Sequence, residues 1–145
     1  MLSKEELSEL LKSKNLRVTK ARLCVLEHLI VASEAMSHQL LVECLKSKGI
    51  NLDNVTIYRT LHSLTEAGII HKITGVDRSF HYAFARSDHQ NDHKKISNHP
   101  HFTCQKCTHT FCLPELSSPI HIDTPEGFEF VHAEITLVGY CPECA

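Results

Sequence analysis

The densest chemistry in the sequence is two Cys-x-x-Cys pairs, Cys104 with Cys107 and Cys141 with Cys144. Each pair lets two thiolates converge on one ion at about 2.3 Å per Zn–S bond, and two pairs complete a closed tetrahedron. A closed site has no position left for a substrate, so these residues read as a structural zinc site. It would tie the end of the sequence back to an earlier strand, in a unit too small to be stable easily on its own core. Redox dithiols are the other reading, but they belong at a helix start in a thioredoxin-like setting. Just upstream, His99 and His101 stand two residues apart, a spacing that turns both imidazoles to one side of a strand. The chain holds 12 His and 7 Cys without a Trp. An odd number of cysteines without a secretion signal argues for thiolate or metal chemistry over a disulfide framework. Cys24 and Cys44 fall on apolar helix faces and read as core.

The elements that position these groups fall into two halves. Ser3, with Glu6 three residues on, caps a first helix carrying Leu7, Leu10 and Leu11. A second helix is expected over Lys20 to Ala32, and a third after Ser37, closed by Gly49. A fourth starts near Asp53 or Asn54 and ends at Gly68. Its inner face is Ile57, Leu61 and Leu64, and its outer face shows Thr56, Tyr58, Arg59, His62 and Ser63. Two strands follow, Ile69–Ile73 and Phe80–Phe84, around a turn at Gly75–Asp77. Helix-turn-helix followed by a hairpin is the winged-helix plan. Residues 85–98 are polar and read as a hinge, with His89 and His93 solvated in it. Beyond it, Val131, Ala133, Ile135 and Leu137 alternate with polar residues as a half-buried strand would. Leu113–Phe128, with Pro114, Pro119 and Pro125, excludes a long helix.

The fold class is therefore α+β. An N-terminal winged helix-turn-helix domain (1–84) and a hinge (85–98) lead to a small C-terminal α/β domain (99–145), stabilised by zinc and read as a dimerisation domain. The charge divides along the same line. Residues 1–72 carry 10 Lys and Arg against 8 Asp and Glu, a net +2, and residues 73–145 carry 5 against 9, a net −4. A weakly basic front half permits DNA binding. No apolar run reaches the roughly 20 residues of a membrane span, and the N-terminus lacks the pattern of a signal peptide. A cytoplasmic protein without a membrane partner or small-molecule substrate is expected.

Taken together, these motifs resemble the ferric uptake regulator family of metal-dependent repressors over nearly the whole length. Leu16–Arg22 is similar to the family's segment before its second helix, and Val55–Leu61 to its recognition helix. His99–Cys104 with Cys107, and Gly139–Cys141 with Cys144, are similar to its metal-binding half. The resemblance implies a homodimer that binds a palindromic double-stranded DNA operator once a sensory metal is loaded. Tyr58 would pack on a thymine methyl, and Arg59 would pair with guanine or phosphate. Thr56 lies on the same face, and Arg17, Thr19 and Arg22 would fix register on the backbone.

The resemblance also frames the sensory site, whose candidates are His71, His99, His101 and Cys112. Iron and peroxide sensors of the family use a His before the third helix, where this sequence has Ala35. They also use a carboxylate on the second wing strand, where it has Ala83. Three imidazoles and one thiolate remain, an oxygen-poor set that suits tetrahedral Zn(II). The expectation is a repressor most like the zinc-uptake-regulator branch, with one structural and at least one regulatory Zn(II) per monomer, controlling metal-uptake genes. The alternative is an Fe(II) or peroxide sensor of the same family. His81, His121 and His132 are candidates for a second regulatory site. An enzyme is not expected, because hydrolytic zinc needs an open coordination position and a general base beside it.

Overall fold

A computed structural model describes residues 2–85, 99–116, 123–129 and 134–145. Four helices come first: α1 (Lys4–Ser13), α2 (Lys20–Val31), α3 (His38–Ser47) and α4 (Asn54–Glu66). Each starts where a short polar side chain satisfies a free amide of the first turn. Ser3 and Glu6 form a reciprocal capping box, Ser3 N donating to Glu6 Oε2 at 2.7 Å and Glu6 N to Ser3 Oγ at 3.2 Å. Thr19, Ser37 and Asp53 cap the other three. The helices bury one core. Leu7, Leu11, Val25, Leu26, Leu41, Leu45, Ile57, Leu61 and Leu64 are all fully buried.

Strands β1 (Met36–Ser37), β2 (Ile70–Thr74) and β3 (Phe80–Phe84) form an antiparallel sheet in the order β1-β3-β2. The second strand is shifted by one residue from the expected Ile69–Ile73, and β1 is an element the sequence did not signal. The register pairs His71 with Ala83 and Ile73 with His81. Side chains alternate across a strand, so the sheet has two working faces. Ile70, Tyr82 and Phe84 join the helical core. His71, Ile73, His81 and Ala83 lie on the other face, where Ile73 and Ala83 pack with Ala35 and Cys112.

A second sheet holds β4 (His101–Cys104), β5 (Thr110–Cys112) and β6 (Thr136–Gly139), in the order β5-β4-β6. β5 is antiparallel to β4 and β6 is parallel to it. Gly139 lets β6 approach closely, since a Cβ there would meet the Phe102 ring at 3.2 Å. A backbone bridge joins the two sheets, where Ala35 N donates to Thr110 O at 2.8 Å. Beside it, His109 Nδ1 lies 2.9 Å from Glu34 Oε2.

Two expectations need revision. His99 precedes its strand instead of lying on it, because β4 begins at His101 after Pro100. The strand expected from Val131 begins at Thr136 among the described residues. Its Thr136, Leu137 and Val138 are exposed instead of alternating between buried and exposed. Residues 130–133 lie outside the described residues, as do 86–98 of the hinge, with His89, His93, His121 and His132. In the proline-rich stretch the described residues hold a single 3-10 turn, Pro114–Leu116.

Candidate metal centres and nucleic-acid interface

The four paired cysteines meet at one end of the second sheet. Cys104 ends β4 and Cys107 lies on the turn after it. Thr108 adopts a left-handed φ of 62° there, donating its amide to Cys104 O at 3.0 Å, and Cys104 N donates to His109 O at 3.0 Å. Cys141 and Cys144 sit on a matching turn after β6, closed by Cys144 N donating to Cys141 O at 2.9 Å. Parallel pairing of Cys104 with Gly139 brings the turns together, and the four sulfurs lie within 4.8 Å of one another. All four are free thiols, with Cys107 and Cys141 sulfurs 3.8 Å apart. Backbone amides of Cys107, Cys141 and Lys106 stabilise a thiolate at Cys104, bringing its pKa to about 6. Cys144, hydrogen-bonded to Cys141 and desolvated, is pushed up to about 12. Four sulfurs this close cannot all ionise without a cation among them, and the all-sulfur donor set fits a closed zinc site.

The second cluster joins the two sheets. His71 comes from β2, His101 from the start of β4, His99 from the residue before Pro100, and Cys112 from the end of β5. Their ligand atoms also lie within 4.8 Å of one another. His71 Nε2 is 3.3 Å from His101 Nε2 and 3.5 Å from Cys112 Sγ. His99 and His101 are buried, and their ring centroids are 4.8 Å apart. Burial, with His71 and His99 alongside, drives the pKa of His101 down to about 3. That imidazole is therefore neutral at ordinary pH, the state a metal ligand needs. The buried Nδ1 of His101 has no hydrogen-bond partner. Crowded imidazoles beside a thiol fit a cation that prefers nitrogen and sulfur, and among the described residues no carboxylate belongs to the set.

On α4, Tyr58 is 61% exposed and Arg59 is exposed, while Ile57, Thr60, Leu61 and Leu64 are buried. The remaining sequence-derived candidates divide. Arg17 is exposed, but Arg22 is half-buried, its guanidinium donating to Arg17 O at 2.6 Å and to Ser63 Oγ at 3.4 Å. Arg22 thus ties the start of α2 to α4. Thr19 caps α2. Thr56 donates its hydroxyl to Asp53 Oδ2 at 2.7 Å, so it helps fix the start of α4. Arg17, Tyr58 and Arg59 remain free to reach outward.

His81 is not part of either cluster. It is buried on the β3 face toward the second sheet, lining a cleft of about 230 Å³ with Glu43, Cys107 and His109. Sequence reading included Val55 in the recognition-helix segment but did not place it on the outer face, where it is 57% exposed on the first turn of α4. Its spacing of three residues from Tyr58 was the available signal. It also missed the Glu34–His109 pair, for which no local pattern exists.

A family model described as the ferric uptake regulator family matches residues 13–138. The chain is 26% identical over 144 residues to the peroxide operon regulator of Bacillus subtilis, covering 97% of this chain and 92% of that protein. Among solved structures it is similar to the Vibrio cholerae ferric uptake regulator, with a TM-score of 0.66, 21% identity and coverage of 92% and 98%. It is also similar to a zinc uptake regulator complexed with zinc and DNA, with a TM-score of 0.64, 23% identity and coverage of 94% and 88%. These structural likenesses establish a shared fold.

Proposed function

Given that the chain belongs to the ferric uptake regulator family, whose members are metal-responsive transcriptional regulators and not enzymes, we propose that it is a cytoplasmic, zinc-responsive repressor of metal-uptake genes. The observation that carries the choice of metal is the convergence of His71, His99, His101 and Cys112 within 4.8 Å, without a carboxylate in the set. Zn(II) accepts such donors in four-coordinate geometry, whereas Fe(II) and Mn(II) favour more oxygen. The second zinc belongs to Cys104, Cys107, Cys141 and Cys144, where its role is to hold the second sheet together.

In this reading a regulatory zinc held by His71, His99, His101 and Cys112 would supply the charge that keeps Cys112 deprotonated beside the three imidazoles. The chain's own residues do the rest. His71 brings the wing sheet, and through it α4, to a fixed position against His99, His101 and Cys112. The partner in operator binding is a second copy of the chain. β6 supports this as an edge strand of its sheet among the described residues, carrying Leu137 and Val138 and followed by Tyr140, at 42%, 50% and 60% exposure. Two copies related by a two-fold axis present two α4 helices, and a palindromic duplex matches them when their spacing equals the helical repeat. Fixing each wing domain against its dimerisation sheet sets that spacing, so metal shifts the population toward the DNA-competent shape.

The first test is metal content per monomer by mass spectrometry, before and after mild chelation in reducing buffer. Zinc should fall from about two ions to about one, as expected when a closed site exchanges far more slowly than a bridging one. Iron or manganese in the labile position would move the assignment to an iron or peroxide sensor, as in the Bacillus subtilis relative.

A further inference from the structure

Val55 lies one helical turn before Tyr58, and the two side chains are 57% and 61% exposed. Residues three apart on a helix are neighbours, so the valine methyls and the tyrosine ring form one apolar strip. The strip runs along the outer face of α4, flanked by exposed Asn54, Arg59 and His62. More than half of the Val55 surface stays exposed, and a β-branched residue is a poorer helix former than alanine. Arg59, four residues after Val55 on the same helix, adds an exposed cation beside it. An apolar strip beside a positive charge suits a polyanion that carries apolar groups.

We propose that Val55, together with Tyr58, reads thymine C5-methyl groups in the major groove, and that Val55 is a specificity-determining residue for the operator. The inference rests on the DNA-binding reading above. The N-terminal residues of a helix-turn-helix recognition helix are the ones that meet base edges. The thymine methyl is the apolar feature the major groove offers there. Val55 precedes Tyr58 toward the N-terminus of α4 and so reaches a base pair adjacent to the one Tyr58 meets. Neighbouring Thr56 is half-buried, with its hydroxyl engaged by Asp53, so Val55 is the residue of that turn available for apolar contact.

The test uses the zinc-loaded full chain and a duplex selected from a random pool. Each thymine is then replaced in turn by deoxyuridine, which removes only the methyl group. At one thymine per half-site, replacement should weaken binding by the wild-type chain about fourfold, the worth of one buried methyl-sized group. Val55→Ala should lose a similar factor on the thymine duplex and become indifferent to that replacement. Unchanged affinity of Val55→Ala, or an unchanged deoxyuridine penalty, would overturn the role of Val55 while leaving DNA binding intact. If no duplex is selected, or if Arg59→Ala binds as tightly as wild type, the DNA reading itself fails and this inference with it. Thermal melting of Val55→Ala, expected at or above the wild-type midpoint, separates loss of contact from loss of fold.

Discussion

In the proposed zinc-responsive reading, the identity of one residue, Cys112, would carry much of the metal preference. Its sulfur stands 3.5 Å from His71 Nε2 and is the single anionic donor in its cluster once deprotonated. A carboxylate in the same place would offer hard oxygen to the same three imidazoles. Cys112→Asp is therefore expected to raise occupancy by Mn(II) or Fe(II) relative to Zn(II) by at least about tenfold, from the change in ligand hardness. The readout is metal content after equilibration with a mixed-metal buffer, with the four-cysteine site as an internal reference. Unchanged zinc preference would place the selectivity elsewhere, in the three histidines or the size of the site. His99 and His101 are both buried, and the depressed pKa of His101 leaves one of its ring nitrogens unprotonated across the physiological range.

At the scale of elements, α4 depends on Asp53. Its carboxylate accepts from Thr56 N at 2.8 Å and from Thr56 Oγ1 at 2.7 Å, and these bonds hold its pKa below the usual aspartate value. A carboxylate with a lowered folded pKa stabilises the fold above its unfolded pKa. That contribution fades as pH falls through the folded value. Asp53→Ala should lower the melting temperature by a few degrees at pH 7, and the gap from wild type should close as the buffer is taken below pH 3.8, the unreacted carboxyl value. Calorimetry at a series of pH values checks both parts, and a constant gap would mean the cap acts through something other than its charge. All four helix starts were legible in the sequence, because a cap is a local event involving residues three apart. The short strands β1 and β5 were not. Two or three residues cannot show a period, and these become strands only because β3 and β4 offer them partners.

At the scale of the whole molecule, the rear face of the wing sheet is the feature that couples the two halves. Its period-two alternation puts His71 and Ile73 on one side, facing Cys112 and the second sheet. Ala35 and Ala83 stand where the resemblance placed ligands in iron and peroxide sensors. Here they form a small apolar contact with Ile73, and Ala35 N bonds across to Thr110. The two sheets thus meet through an apolar plug, a backbone bridge, the Glu34–His109 pair and the histidine–cysteine cluster. Of these, the cluster is the part that a metal ion would control in the proposed reading. His71→Ala removes the one donor that comes from the wing. It should leave about one zinc per monomer in the cysteine site while zinc-dependent operator affinity falls at least about tenfold, within the range typical of allosteric coupling. Fluorescence anisotropy with and without chelator gives the ratio, and full retention of zinc dependence would show that the bridge is not the switch.

The sequence by itself determined the local chemistry. Cysteine pairs three residues apart, histidines two apart, caps at helix starts and an amphipathic α4 are short-range patterns, and physical rules of reach and period read them directly. The strands His71 and Phe80–Phe84 belong to were legible for the same reason. What only the tertiary structure decided was which of these local units meet. His71 is 30 residues from His101 and 41 from Cys112 in the chain, and their convergence depends on which face of the wing sheet turns toward the second sheet. That choice follows from burial: Ile70, Tyr82 and Phe84 are claimed by the helical core, so His71 and Ile73 are left to face the other way. The exposure of Val55, and the binding of Arg22 to Arg17 and Ser63, were decided in the same manner, by what the packed neighbours cover and what they leave open.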